Sequence, residues 1–277
     1  MDEKSNSIIS IEMSGAYSSL RDKLRLTFPP IDCAGIPGTD CYCDDHAYKL
    51  LSDALRPTGP EGIHIIDSGN YHYLTLLFLD KIPAATDISL ILFDNHPDSR
   101  KPAFGDIISC GGWVRNAVCN YENIKKVLMI GTDPALLHDE ADHVISENDE
   151  MISFSIEGSE AVITSAKIMT PGCREKMISE NISDNETCYI SFDLDCLSEH
   201  DANCNWSQGN MTIKEAGALL AFIRKNACPI GMDICGACAP DESDQNEKNL
   251  KAINALIDNY YLVPNILSPA SPRPGQI

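Results

Sequence analysis

SLILFDNHPD, residues 89–98, runs four apolar side chains together at positions 90–93 and then sets down Asp94, His96 and Asp98 without a break. TCYISFDLD, residues 187–195, repeats the design and ends on Asp193 and Asp195. Short apolar runs of this kind read as strands buried on both faces of a parallel sheet, and such sheets receive ligands at the carboxyl ends of their strands. If the chain stays extended there, alternate side chains share a face, so that Asp94, His96 and Asp98 converge, as do Asp193 and Asp195. Carboxylates gathered in one crevice repel each other and lose hydration, and a cation relieves both costs. The pattern therefore calls for divalent metal, two ions sharing carboxylates.

Further strand-like runs lie at 62–69, 126–132, 151–156 and 228–235, and helical patterns at 46–55, 73–80, 111–120, 213–226 and 247–260. Thr212 and Glu215 have the spacing of a capping box for the fourth helix. Alternating strands and helices predict βαβ units, hence an α/β fold with a doubly wound parallel sheet. No Pro/Gly/Ser-rich linker interrupts the pattern, so residues 1–277 are expected to form a single domain, with 1–45 irregular and 266–277 a loose tail.

A formal charge of −20 excludes nucleic acid as a partner and disfavours anionic membranes. The start MDEKSNSIISIEM lacks the basic and apolar regions of a signal peptide, and no stretch approaches the length of a membrane span. A cytoplasmic protein is expected. On that footing the twelve cysteines read as reduced thiols. The Asn-x-Ser/Thr sequons at Asn181, Asn185, Asn205 and Asn210 then read as chance matches.

With Gly69-Asn70-Tyr71-His72 after an earlier strand, the clusters at 94–98 and 191–195 resemble, in order and spacing, the ureohydrolases: arginase, agmatinase and formimidoylglutamase. The resemblance implies a three-layer α/β/α architecture with a mostly parallel central sheet, and two Mn²⁺ ions. His72, Asp94, Asp98 and Asp193 would hold one ion; Asp94, His96, Asp193 and Asp195 would hold the other. Oxygen and imidazole donors suit Mn²⁺, though neighbouring transition metals fit the same set. Activity on a linear C–N bond of a small-molecule substrate is implied, with Asp98 taking a proton from the attacking water and passing it to the leaving amine. A homo-oligomer is implied as well.

The resemblance breaks at the substrate. Gly111 stands where these enzymes place a His, and Gly236 where arginases and agmatinases place a guanidinium-binding Glu. A guanidinium without a carboxylate loses its charge-assisted anchor, so an amide or another amidine is at least as good a substrate. Asp241 and Glu242 are candidate replacements for the anchor, His200 for the proton shuttle, and Cys110 adjoins the missing His. Trp113 and Trp206 are candidates to stack a planar or aliphatic group. Cys41-Tyr42-Cys43 and Cys235-Gly236-Ala237-Cys238 lack the further pair that a four-ligand zinc site needs, and read as buried or pocket-lining thiols. Two alternatives stay open: a non-catalytic metal-binding regulatory subunit on this fold, and a deacetylase-like amidohydrolase.

Overall fold

The computed structural model describes residues 7–102, 104–137, 143–147, 151–156, 159–164, 173–239 and 243–262. Its strands are β1 (Ile8–Glu12), β2 (Ile31–Asp32), β3 (Tyr42–Cys43), β4 (Gly62–Ile65), β5 (Ile88–Phe93), β6 (Ile108–Ser109), β7 (Ile124–Ile130), β8 (His143–Glu147), β9 (Met151–Ile156), β10 (Ser159–Thr164), β11 (Thr187–Asp193) and β12 (Cys228–Cys235). Helices are α1 (Asp45–Ala54), α2 (Thr75–Leu79), α3 (Trp113–Asn120), α4 (Cys173–Asn181), α5 (Ile213–Asn226) and α6 (Ser243–Leu262). Ten strands form one sheet in the order β2-β1-β4-β12-β11-β5-β7-β10-β9-β8, and β3 pairs with β6 in a separate ribbon. From β2 to β10 neighbours run parallel; β9 and β8 close the edge antiparallel. The mostly parallel α/β sheet is the one predicted. The N-terminal segment, expected to be irregular, instead supplies β1, whose IISIE run is buried throughout. The proposed tail at 266–277 lies outside the described residues.

Central strands are apolar on both faces because helices cover both. Ile91, Phe93, Ile190 and Phe192 pack into a core with side chains of α5 and α6. Leu90, Leu92 and Tyr189 point the other way, into a core with side chains of α1, α2 and α3. Single-residue alternation along each strand thus feeds two cores. The predicted capping box is present: the Thr212 hydroxyl accepts from Glu215 N–H, and the Glu215 carboxylate accepts from Thr212 N–H at 2.9 Å. In register, Phe192 lies beside Phe93 and Asp193 beside Cys235. The chain segments that follow β4, β5, β11 and β12 are therefore neighbours at the carboxyl edge of the sheet.

Candidate metal centre

Both acid clusters begin where their strands stop, and neither stays extended. β5 ends at Phe93, and Asp98 adopts φ +47°, a left-handed conformation uncommon outside glycine. The simple alternation expected for Asp94, His96 and Asp98 is therefore replaced by a turn. Asp94 and Asp98 face His72, whereas His96 swings towards Asp195. After β11 the chain enters a 3₁₀ turn, Leu194–Cys196, capped by Asp193, whose Oδ1 accepts from Asp195 N–H at 2.9 Å. The turn sends Asp193 to the His72 side and Asp195 to the His96 side.

Of the donor groups that result, two share Asp94. His72 Nδ1 lies 3.3 Å from Asp94 Oδ2, 3.0 Å from Asp98 Oδ2 and 3.6 Å from Asp193 Oδ2. His96 Nδ1 lies 2.9 Å from Asp195 Oδ2 and 3.5 Å from Asp94 Oδ1. The sets His72/Asp94/Asp98 and Asp94/His96/Asp195 each present donor atoms close enough together to share one ion. His72 is aimed from behind: Ser191 Oγ sits 2.8 Å from Nε2 and donates to Asp233 Oδ1 at 2.7 Å. That fixes the imidazole orientation as carboxylates behind metal-bound histidines do. Trp113 is wholly buried and donates its indole N–H to Asp98 Oδ2 at 2.8 Å, so it props a candidate ligand and does not face substrate.

The electrostatics are those of a site short of positive charge. Burial, then the neighbouring Asp195, pushes the Asp193 carboxyl up to about 6; burial, then Asp94, pushes Asp195 to about 7. Asp94 and Asp98 are raised too, chiefly by burial. Burial alone would lower His96, but Asp195 and Asp94 raise it to about 12. Asp94 Oδ2 is buried with no hydrogen-bond partner. Such an orphaned oxygen among four acids and two imidazoles fits divalent cations.

A pocket of about 230 Å³ opens over this cluster, lined by Asp94, His96, Asp98, Asp193, Asp195, Cys110 and Trp206 among others. Trp206 is 40% exposed, stands edge-on to the His96 ring at 5.9 Å, and is held by Asn70 Oδ1 at 2.9 Å. Cys110 lines the pocket beside Cys41, and burial holds both thiols protonated. His200 is not brought to the pocket: its side chain is 92% exposed and faces Asp201 at 3.2 Å. Asp241 and Glu242 lie outside the described residues. Arg100, two positions past Asp98, also lines the wall, a residue that no motif singles out. Gly236 has φ +106°, and a Cβ there would stand 2.6 Å from Asp193 Oδ1 and 2.9 Å from Leu194 N, leaving no room for a side chain.

The layered, mostly parallel sheet with the acid–imidazole cluster at its carboxyl edge is an arginase-like α/β fold. The Arginase family model matches residues 31–260, and the chain belongs to that family. Proclavaminate amidino hydrolase from Streptomyces clavuligerus is similar in structure, with a TM-score of 0.63 at 16% identity over 93% of this chain and 92% of that one. Formiminoglutamase from Trypanosoma cruzi, solved with Mn²⁺, gives a TM-score of 0.62 at 11% identity, covering 94% of each chain. Formimidoylglutamase from Bacillus subtilis gives 0.58 at 15% identity over 95% of this chain and 89% of that one. No curated protein sequence matches the chain. Among the described residues no helix is long and apolar enough to cross a membrane.

Proposed function

We propose that the protein is a binuclear metal-dependent hydrolase of a linear C–N bond in a small molecule, of amidine, guanidino or amide type. The observation that carries this reading is Asp94: buried, shared between two donor sets and holding an oxygen without a hydrogen-bond partner. His72, Asp94, Asp98 and Asp193 would hold one ion, and Asp94, His96, Asp193 and Asp195 the other, with Mn²⁺ the metal that the oxygen-rich donor set favours. When bound, a divalent pair would supply Lewis acidity, lowering the pKa of a bound water towards neutrality and offsetting negative charge on the substrate. Asp98 takes the proton of the attacking water and returns it to the leaving nitrogen, while Trp113 keeps that carboxylate aimed. Trp206 forms an apolar wall against which a planar group packs. Gly236 counts against arginine and agmatine as substrates, because the carboxylate that grips their guanidinium has no space there.

The test joins metal analysis to product release. Protein purified without chelator and reconstituted with Mn²⁺ is expected to hold two ions per chain and to release urea, ammonia or amine from a panel of guanidino, amidine and amide compounds, with arginine and agmatine poor substrates. Fewer than one ion per chain sinks the binuclear reading. Full loading without product from any substrate turns the conclusion to a metal-holding binding subunit.

A further inference from the structure

We propose that Cys235 is a metal ligand: its thiolate binds the ion on the His72 side and makes this a nitrogen, oxygen and sulfur centre. The inference rests on reading the acid cluster as a metal site and adds a donor that oxygen-and-imidazole chemistry lacks. Cys235 ends β12 directly beside Asp193, across the parallel register of β11 and β12. Its side chain is fully buried, and Sγ lies 3.0 Å from Asp193 Oδ2. His72, Asp193 and Cys235 offer donor atoms all within 4.8 Å of one another, and His72 also belongs to the Asp94/Asp98 set. Asp94 Oδ2, the orphaned oxygen, points into the same space, 3.3 Å from His72 Nδ1.

The backbone fixes the thiol there. Asp233 and Cys235 share a strand face. Asp233 reaches His72 through Ser191, which leaves Cys235, one pleat further on, at the level of the ions. Immediately afterwards Gly236 turns the chain at φ +106°, and Gly236 and Ala237 donate to Asp67 O at 3.2 and 3.1 Å. The turn that denies a side chain at 236 thus anchors the sulfur at 235. The Cys235 thiol donates to Asp193 Oδ2, inside the cluster, whereas the Cys238 thiol is directed away from it to Asn203 O at 2.9 Å. Binding forms one sulfur–metal bond and releases the thiol proton to solvent, with no change of oxidation state. A soft donor shifts preference from Mn²⁺ towards Zn²⁺, Co²⁺ or Fe²⁺.

Metal-free full-length protein is titrated with Co²⁺ and followed by electronic absorption. A near-ultraviolet thiolate-to-cobalt charge-transfer band is expected in the wild type, and its loss in Cys235→Ser with the visible d–d bands retained. The Zn²⁺ over Mn²⁺ preference is expected to fall on the order of 10–100-fold in that variant, the scale on which supporting groups tune metal affinity. X-ray absorption of the Zn²⁺-loaded wild type needs no variant and should show a sulfur neighbour at about 2.3 Å. Cobalt bound with d–d bands but no charge-transfer band, or a zinc shell of oxygen and nitrogen alone, overturns the proposal and leaves the metal centre standing. A band that survives in Cys235→Ser also overturns it. Failure of the wild type to bind Co²⁺ or Zn²⁺ overturns the metal-centre reading itself, and this one with it.

Discussion

Replacing Asp94 by Asn tests the centre where its two halves meet. The amide keeps the shape and one oxygen, so His96 N–H, 2.6 Å from Asp94 Oδ1, retains its acceptor. What disappears is the charge and the second oxygen, which faces His72 Nδ1 at 3.3 Å. The formal charge of Asp94, Asp98, Asp193 and Asp195, −4 against two divalent ions, drops to −3, and the side chain common to both sets is no longer a carboxylate. At a free ion concentration of about 100 Kd, one bound ion adds roughly 2.7 kcal/mol to stability. At about 2–4 °C per kcal/mol for a large domain, one site raises Tm by roughly 5–11 °C. Asp94→Asn is expected to lose that gain for both ions, with atomic-emission analysis showing neither retained. Metal-free Asp94→Asn should melt close to the metal-free wild type, since lost pairing with the imidazoles is offset by relief from Asp98 and Asp193. Asp98→Asn, by contrast, should keep one ion on the His96 side. An Asp94→Asn protein that still holds one tightly bound ion refutes the shared-ligand reasoning.

The metal-free protein should lose thermal stability between pH 5.5 and pH 8. Asp193 near 6 and Asp195 near 7 are raised above the unfolded carboxyl range, so their contribution is complete below about 4 and disappears as pH climbs through those values. His96, raised to about 12, acts in the same direction, its contribution complete below the unfolded His value and declining above it. Calorimetry of chelated protein across that range checks this, and added metal should stabilise more at pH 8, where protons no longer compete. Trp113→Phe keeps the buried ring and removes the hydrogen bond to Asp98. Affinity on the His72 side should fall about 10–100-fold with little change on the other, read by stepwise titration. Gly236→Ala forces a side chain into φ +106° against Asp193 and Leu194, costing about 1–3 kcal/mol for the backbone alone. A Tm unchanged in that variant would show that the pocket floor yields more easily than its packing implies.

Much of the site was legible because its ligand types sit at the ends of apolar runs. A strand buried on both faces is conspicuous in sequence, and in a parallel sheet its carboxyl end is where chemistry gathers. His72, Asp94, His96, Asp98, Asp193 and Asp195 could therefore be named from pattern and motif order, and the structure brings all six together. Their distribution between two sides followed from the family resemblance and was not legible in strand periodicity. Alternation places Asp94, His96 and Asp98 on one side only while the chain is extended, and a left-handed Asp98 ends that extension. β1 was missed because its short run lacks a neighbouring helical pattern; only pairing with β4 makes it a strand.

The central strands β4, β5, β7, β11 and β12 and the presence of a metal-type acid cluster thus belong to the sequence alone, since both follow from local periodicity and residue chemistry. The partners that complete the cluster belong to the tertiary structure. Cys235 meets Asp193 across 42 residues, Ser191 meets His72 across 119, and the indole of Trp113 reaches Asp98 across 15 by way of a turn. These contacts depend on which strands lie side by side and in what register, and the hydrogen-bond ladder sets that over distances no local pattern encodes. The vacancy at Gly236 has the same origin: its meaning is spatial, a backbone pressed so close to Asp193 that the family's anchoring carboxylate has nowhere to stand.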